Sequence, residues 1–153
     1  MGYENSPGLA PVDFSAASRD ELGYAIELAG ECGAELIALH VIPPYVAEMY
    51  AQKGTDWGAF RAEIEKKLHA LVGKEAANNQ AAGIHHRWCV VSGNPANEIL
   101  RVAKREKADL VIMSTHGRSG IPRAVMGSVA EKVIRQSTVP VLTLSQAGMS
   151  KAA

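Results

Sequence analysis

The chain alternates between two hydrophobic periods. ELIALHVI (35–42) is nearly unbroken in apolar residues, as a strand buried on both faces would be. HHRWCVVS (85–92), DLVIMS (109–114) and VPVLTL (139–144) read the same way, and GLAPVD (8–13) is a shorter, weaker candidate. Between these runs the spacing becomes helical. Leu22, Ala25, Ile26 and Ala29 share one helical face. Ser18-Arg19-Asp20-Glu21 reads as their capping box, with Ser18 as cap and Glu21 reaching back, and Gly33 reads as the stop. Phe60, Ile64, Leu68, Leu71 and Val72 predict a second helix, running to about Ala81 and ended by Gly83. Asn94 caps a third helix, Pro95 takes its first position, and Ile99, Leu100, Val102 and Ala103 form its inner face. Ser128 caps the last helix, which carries Val129, Val133 and Ile134. Residues 43–57, with Pro43, Pro44 and Gly54, read as a long irregular connection.

The predicted order is βαβαβαβαβ. Strands separated by helices run parallel through right-handed crossovers. The expected fold class is α/β: a three-layer α/β/α sandwich around an open five-stranded parallel sheet of Rossmann-like type. A single domain is expected over residues 1–153, with its core at about 8–145 and a frayed tail at 146–153. Pro140 cannot donate to a ladder, which places the last strand at an edge.

Composition narrows the functional classes. Sixteen Lys and Arg balance sixteen Asp and Glu. A global attraction to nucleic acid or to an anionic membrane is therefore not expected. No apolar run approaches a membrane span of about 18 residues. MGYENSPGLA lacks the basic and apolar regions of a signal peptide, so a reducing, cytoplasmic setting is expected. Cys32 and Cys89 read as reduced core thiols. No histidine pair has metal-ligand spacing.

STHGRSGIPRAVMGS (114–128) is the chemically biased segment. A strand-to-helix connection needs only about 2–6 residues, and this one carries Gly117, Gly120 and Gly127. Glycines let backbone approach a ligand closely, and the helix that follows presents unpaired amides and a positive dipole end. Between 114 and 136 the charges are Arg118, Arg123, Lys132 and Arg135 against Glu131 alone. A phosphate is the natural guest. In open α/β sheets ligands sit beyond the carboxyl ends of the strands, where strand order reverses. Asp13 would complete the opposite wall by accepting from a ribose hydroxyl or an adenine amino group. There is no GxxxxGK[ST], GxGxxG or GxSxG, which removes the P-loop, dinucleotide-binding and nucleophile-elbow readings. His116 reads as an exposed loop histidine, and Trp57 and Trp88 as packing residues.

PVDFS (11–15), HVI (40–42), GNPANEIL (93–100) and the run from STHG (114–117) through GSVAEKVI (127–134) to VPVL (139–142) together resemble the universal stress protein family over essentially the whole chain. That resemblance implies an adenine nucleotide alpha-hydrolase-like fold. Nucleotide-binding members carry G-x2-G-x9-G-[ST]. Here Gly117, nine residues, Gly127 and Ser128 match, and Ser114 replaces the first glycine. The resemblance implies an ATP-binding homodimer. Pro11 and Asp13 would contact adenosine, Val41 backbone the adenine edge, Met113 and Ser114 the base and ribose, and Gly117, Gly127, Ser128 and Val129 the phosphates. Mg²⁺ would accompany the phosphates without a dedicated carboxylate cluster. Dimerisation would run through Val139–Leu144. A nucleotide-free interaction protein and a slow ATPase are the alternatives, and Gly127→Val is expected to abolish binding by filling the approach path and disfavouring the backbone conformation.

Overall fold

The computed structural model describes residues 6–80, 83–116 and 126–145. The elements run β1 (Gly8–Pro11), α1 (Ala16–Cys32), β2 (Leu36–Ile42), α2 (Pro44–Gln52), α3 (Trp57–Asn78), β3 (His86–Ser92), α4 (Pro95–Arg105), β4 (Leu110–Ser114), α5 (Ser128–Gln136) and β5 (Val141–Leu144). The five strands form one parallel sheet in the order β3-β2-β1-β4-β5. GLAP is thus the central strand despite its poor composition. Leu9 and Ala10 are fully buried, and Gly8 to Pro11 pair in register with Leu36 to Leu39.

Both sheet faces are covered, so β2 feeds two cores with period two. Leu36, Ala38 and Ile42 join Leu22, Ala25, Ile26, Leu68 and Val72 on the α1 and α3 side. Ile37 and Leu39 join Ile99, Val102, Ala103, Ala130 and Val133 on the α4 and α5 side. These two cores fix the three layers. Asn94 caps α4 through a bond to Asn97 N, with Pro95 in the first turn. Gly33 ends α1 in the left-handed region at φ 65°, a conformation that costs glycine nothing.

Several expectations give way. The cap of α1 is Ser15, whose Oγ accepts from Ser18 N at 3.2 Å. Ser18 lies inside the helix and donates its own Oγ to Ser15 O at 3.1 Å. Glu21 therefore faces the interior and is fully buried. The sequence offers two serines three residues apart, and the tight turn at Asp13 selects the earlier one. Ser15→Ala is expected to lower stability by about 0.5–2 kcal/mol, read as a shift in the denaturant midpoint at unchanged slope.

Residues 44–52 are helical, because Pro44 sits at a helix start, where its missing N–H is harmless. α3 ends at Asn78, short of Ala81, and Asn79 closes it by donating Nδ2 to Glu75 O. The cap of α5 is Gly127, and Ser128 is the first helical residue with no capping bond from its side chain. Pro140 lies just ahead of β5, whose edge position holds. Cys32 is exposed at the last residue of α1, and Cys89 is half-buried because β3 is an edge strand. Ile134 is exposed, since Ala130 and Val133 form the inner stripe of α5. Trp88 is exposed and stacks on His69 at 4.0 Å between ring centroids. The tail from 146 onward lies outside the described residues.

Candidate functional site

Strand order reverses at β1, which has β2 on one side and β4 on the other. The carboxyl ends of β1, β2 and β4 therefore open onto one rim, the position where parallel sheets bind ligands. The topology brings Pro11, Asp13, Val41, Met113, Ser114, Gly127, Ser128 and Val129 to that rim. Gly117, with Arg118, Gly120 and Arg123, lies outside the described residues.

The β1 wall is a strained turn. Asp13 Oδ1 accepts from Ser15 N at 2.9 Å, which ties the carboxylate to the start of α1. Phe14, between them, stands at φ 65°. A bulky side chain in the left-handed region is costly and persists only when the surroundings hold it. Two groups do so. The His40 ring lies 4.6 Å from the Phe14 ring, centroid to centroid, and Lys67 Nζ sits over the Phe14 ring, 4.4 Å from its centroid. His40 is itself held by a bond of 2.7 Å between Nδ1 and Val12 O. A histidine inside the apolar run of β2 was the available signal for this cluster. Phe14 and Lys67 left no pattern of their own in the sequence.

The opposite wall is the β4–α5 junction. Gly127 N donates to Thr115 O at 2.7 Å, closing the two ends of the connection onto each other. A Cβ on Gly127 would stand 3.0 Å from Thr115 O and 3.9 Å from His116 Cα. Such a contact with backbone is not relieved by side-chain motion, so any other residue here needs the backbone to give by a few tenths of an ångström, and proximity favours glycine. The backbone itself is ordinary, at φ −62° and ψ 148°. The expectation that a side chain would disfavour this conformation therefore fails, and the steric reason stands alone. Past Gly127, the first amides of α5 have no partner inside the helix, and the helix dipole adds positive potential there.

Ser114, in place of the first motif glycine, donates its Oγ to His116 O at 2.9 Å. Its hydroxyl is thus used to shape the start of the connection. Met113 is buried in the α4 and α5 core, which leaves its backbone at the rim. Val41 packs against the same core beside Val91, its register partner on β3. His116 is partly buried, against expectation, because Thr115 Oγ1 holds its Nδ1 at 2.8 Å and Nε2 is shielded.

Among the described residues, no group of three or more His, Cys, Asp or Glu side chains is arranged to hold a metal ion. No described helix is long and apolar enough to cross a membrane.

The family model of the universal stress proteins matches residues 8–145. Universal stress protein MJ0531 of Methanocaldococcus jannaschii is 32% identical over 138 residues, covering 89% of this chain and 79% of its own length. YxiE of Bacillus subtilis is 34% identical over 142 residues, covering 88% of this chain and 95% of its own. Among solved structures, MJ0577 of M. jannaschii superposes with a TM-score of 0.73 at 25% identity, covering 94% of this chain and 96% of its own. A universal stress protein in complex with cAMP gives 0.67 at 23% identity, covering 91% and 96%. One from Archaeoglobus fulgidus in complex with dAMP gives 0.60 at 20%, covering 94% and 98%.

Proposed function

This chain belongs to the universal stress protein family, and on that premise we propose that it is an adenine-nucleotide-binding module that takes ATP, acts as a homodimer, and changes conformation or partners with the nucleotide it holds. The observation that carries this reading is the Gly127 junction. Backbone closes on backbone there with little room for a side chain, directly ahead of the amides of α5 and across the rim from Asp13. Ser128 and Val129 would take the phosphates through their N–H groups, with Gly117 completing the loop. Asp13 would accept from the ribose or the adenine amino group, Val41 backbone would meet the adenine edge, and Pro11, Met113 and Ser114 would close the pocket. The cAMP and dAMP held by two fold neighbours support an adenine guest. Mg²⁺ would arrive with the phosphates, since the described residues hold no carboxylate cluster for it.

The two sheet edges differ in a way that favours dimerisation through β5. At β3, Arg61 Nη2 donates to Val90 O at 3.0 Å and covers part of the edge. β5 ends the sheet on the other side with only half-buried residues, beside the exposed Ile134 of α5. An unpaired strand edge seeks a partner, and the strand order leaves β5 with a sheet neighbour on one side only among the described residues. The function is tested by calorimetric titration of nucleotide-stripped, folded protein with ATP, AMP and cAMP, with and without Mg²⁺. Saturable ATP binding near one per chain is expected. No heat from any of the three would overturn the reading in favour of a nucleotide-free interaction protein.

A further inference from the structure

Glu21 sits on the inner face of α1, fully buried, and among the described residues neither carboxyl oxygen has a hydrogen-bond partner. A buried group left unpaired costs about 1–3 kcal/mol, and more if charged. Burial, and after it the nearby Asp13 carboxylate, hold the Glu21 carboxyl well above the usual carboxylate range. The elements packed against α1 offer little to counter that. Asp13 precedes it, His40 lies on β2, and α3 brings Lys67 and Glu75, while β1, β4 and β5 contain no titratable residue. Lys67 is engaged over the Phe14 ring, His40 bonds Val12 O, and Glu75 lies beside Gly23.

We infer that Glu21 is a proton-dependent latch for the Asp13 turn: α1 packs while Glu21 is a neutral acid, and loss of its proton releases the start of α1 together with the site wall attached to it. The link is covalent and short. Glu21 lies six residues after the cap Ser15, whose N–H is held by Asp13 and whose carbonyl is held by Ser18. A carboxylate at Glu21 has to reach water, and the inner face of α1 that carries it must leave its packing for that. The consequence for adenosine rests on the function proposed above, whereas the release of α1 does not.

The sign follows from linkage. The folded chain holds the Glu21 proton more tightly than the unfolded chain. Its contribution is therefore whole below the ordinary carboxylate range and declines as pH rises, until Glu21 ionises in the folded state. The test compares the full chain with Glu21→Gln, a neutral side chain of similar shape, from pH 5 to pH 9. Melting temperatures, hydrogen-exchange protection factors of residues 15–21 and adenosine affinity are measured. Adenosine carries no phosphate to titrate in this range. With rising pH the native chain is expected to lose melting temperature and α1 protection relative to the variant. Its adenosine affinity should fall severalfold, while that of Glu21→Gln stays level. Parallel melting and protection profiles in the two proteins would overturn the latch. Diverging profiles with no adenosine binding in either protein would uphold the latch and overturn the nucleotide reading alone.

Discussion

Gly127→Val is expected to abolish measurable ATP binding while leaving a folded protein. The first added carbon would meet Thr115 O at 3.0 Å, and the two methyls beyond it need further space. Relief requires the α5 N-terminus and the end of β4 to move apart, which lengthens the 2.7 Å bond from Gly127 N to Thr115 O. Overpacking of this kind costs about 1–3 kcal/mol. Spent on the phosphate loop, that alone lowers affinity by about 5–150-fold, and the lost alignment of successive amides adds to it. Titration with ATP and with adenosine, side by side, checks the account. Adenosine affinity should fall much less than ATP affinity, because the phosphate end is the part disturbed. Equal losses for both ligands would mean that Gly127 supports the whole fold rather than the phosphates.

Asp13→Ala should give the complementary pattern, with ATP, AMP and adenosine all weakened to a similar degree. The carboxylate is the one charged acceptor that β1 brings to the rim, and a hydrogen bond to a charged group is worth about 1.5–3 kcal/mol. That corresponds to roughly 10–150-fold in affinity. The change also removes the acceptor for Ser15 N, which ties the turn to α1. Asp13→Asn keeps an oxygen for that amide and discards the charge, so comparison of the two variants separates ligand contact from turn support. Under this account Asn recovers the melting temperature better than it recovers adenosine affinity. Unchanged adenosine affinity in Asp13→Ala would remove Asp13 from the site.

The layered architecture was legible because burial on two faces writes itself directly into strand composition. LIALHVI and LVIM cannot satisfy any exposed environment, and the helices that follow β3 and β4 carry clear inner stripes, Ile99-Val102-Ala103 and Ala130-Val133. GLAP was legible only through its place in the order, since its burial comes from its neighbours rather than from its own side chains. Where the sequence misled, two local solutions competed. Ser15 and Ser18 both fit a cap, and tertiary placement of Asp13 and Glu21 decided between them. Pro43-Pro44 fits a break or a helix start equally well, and packing of Val46 against the core decided for the helix.

The site was half-legible for the same reasons. The spacing from Gly117 to Ser128 located the junction, and a glycine favoured by proximity looks the same in sequence as one compelled by a turn. Only the distance to Thr115 O distinguishes them. The β1 wall depends on Phe14 in the left-handed region, held by His40 and Lys67 from elements 26 and 53 residues further along the chain. No local pattern carries such a contact. Glu21 shows the limit most clearly, because a capping box predicts an exposed carboxylate and the chain buries it.

The central claim is that phosphates lie on the first amides of α5 while adenosine lies against the β1 and β2 ends. Nitrogen-15 amide spectra recorded through an ATP titration, and again through an adenosine titration, test it most directly. Large ATP-induced shifts are expected at Gly127, Ser128, Val129 and Ala130, absent with adenosine, and shifts at Asp13, Ser15 and Val41 with both ligands. ATP-induced shifts that spare 127–130, or that gather at any other part of the molecule, would contradict it.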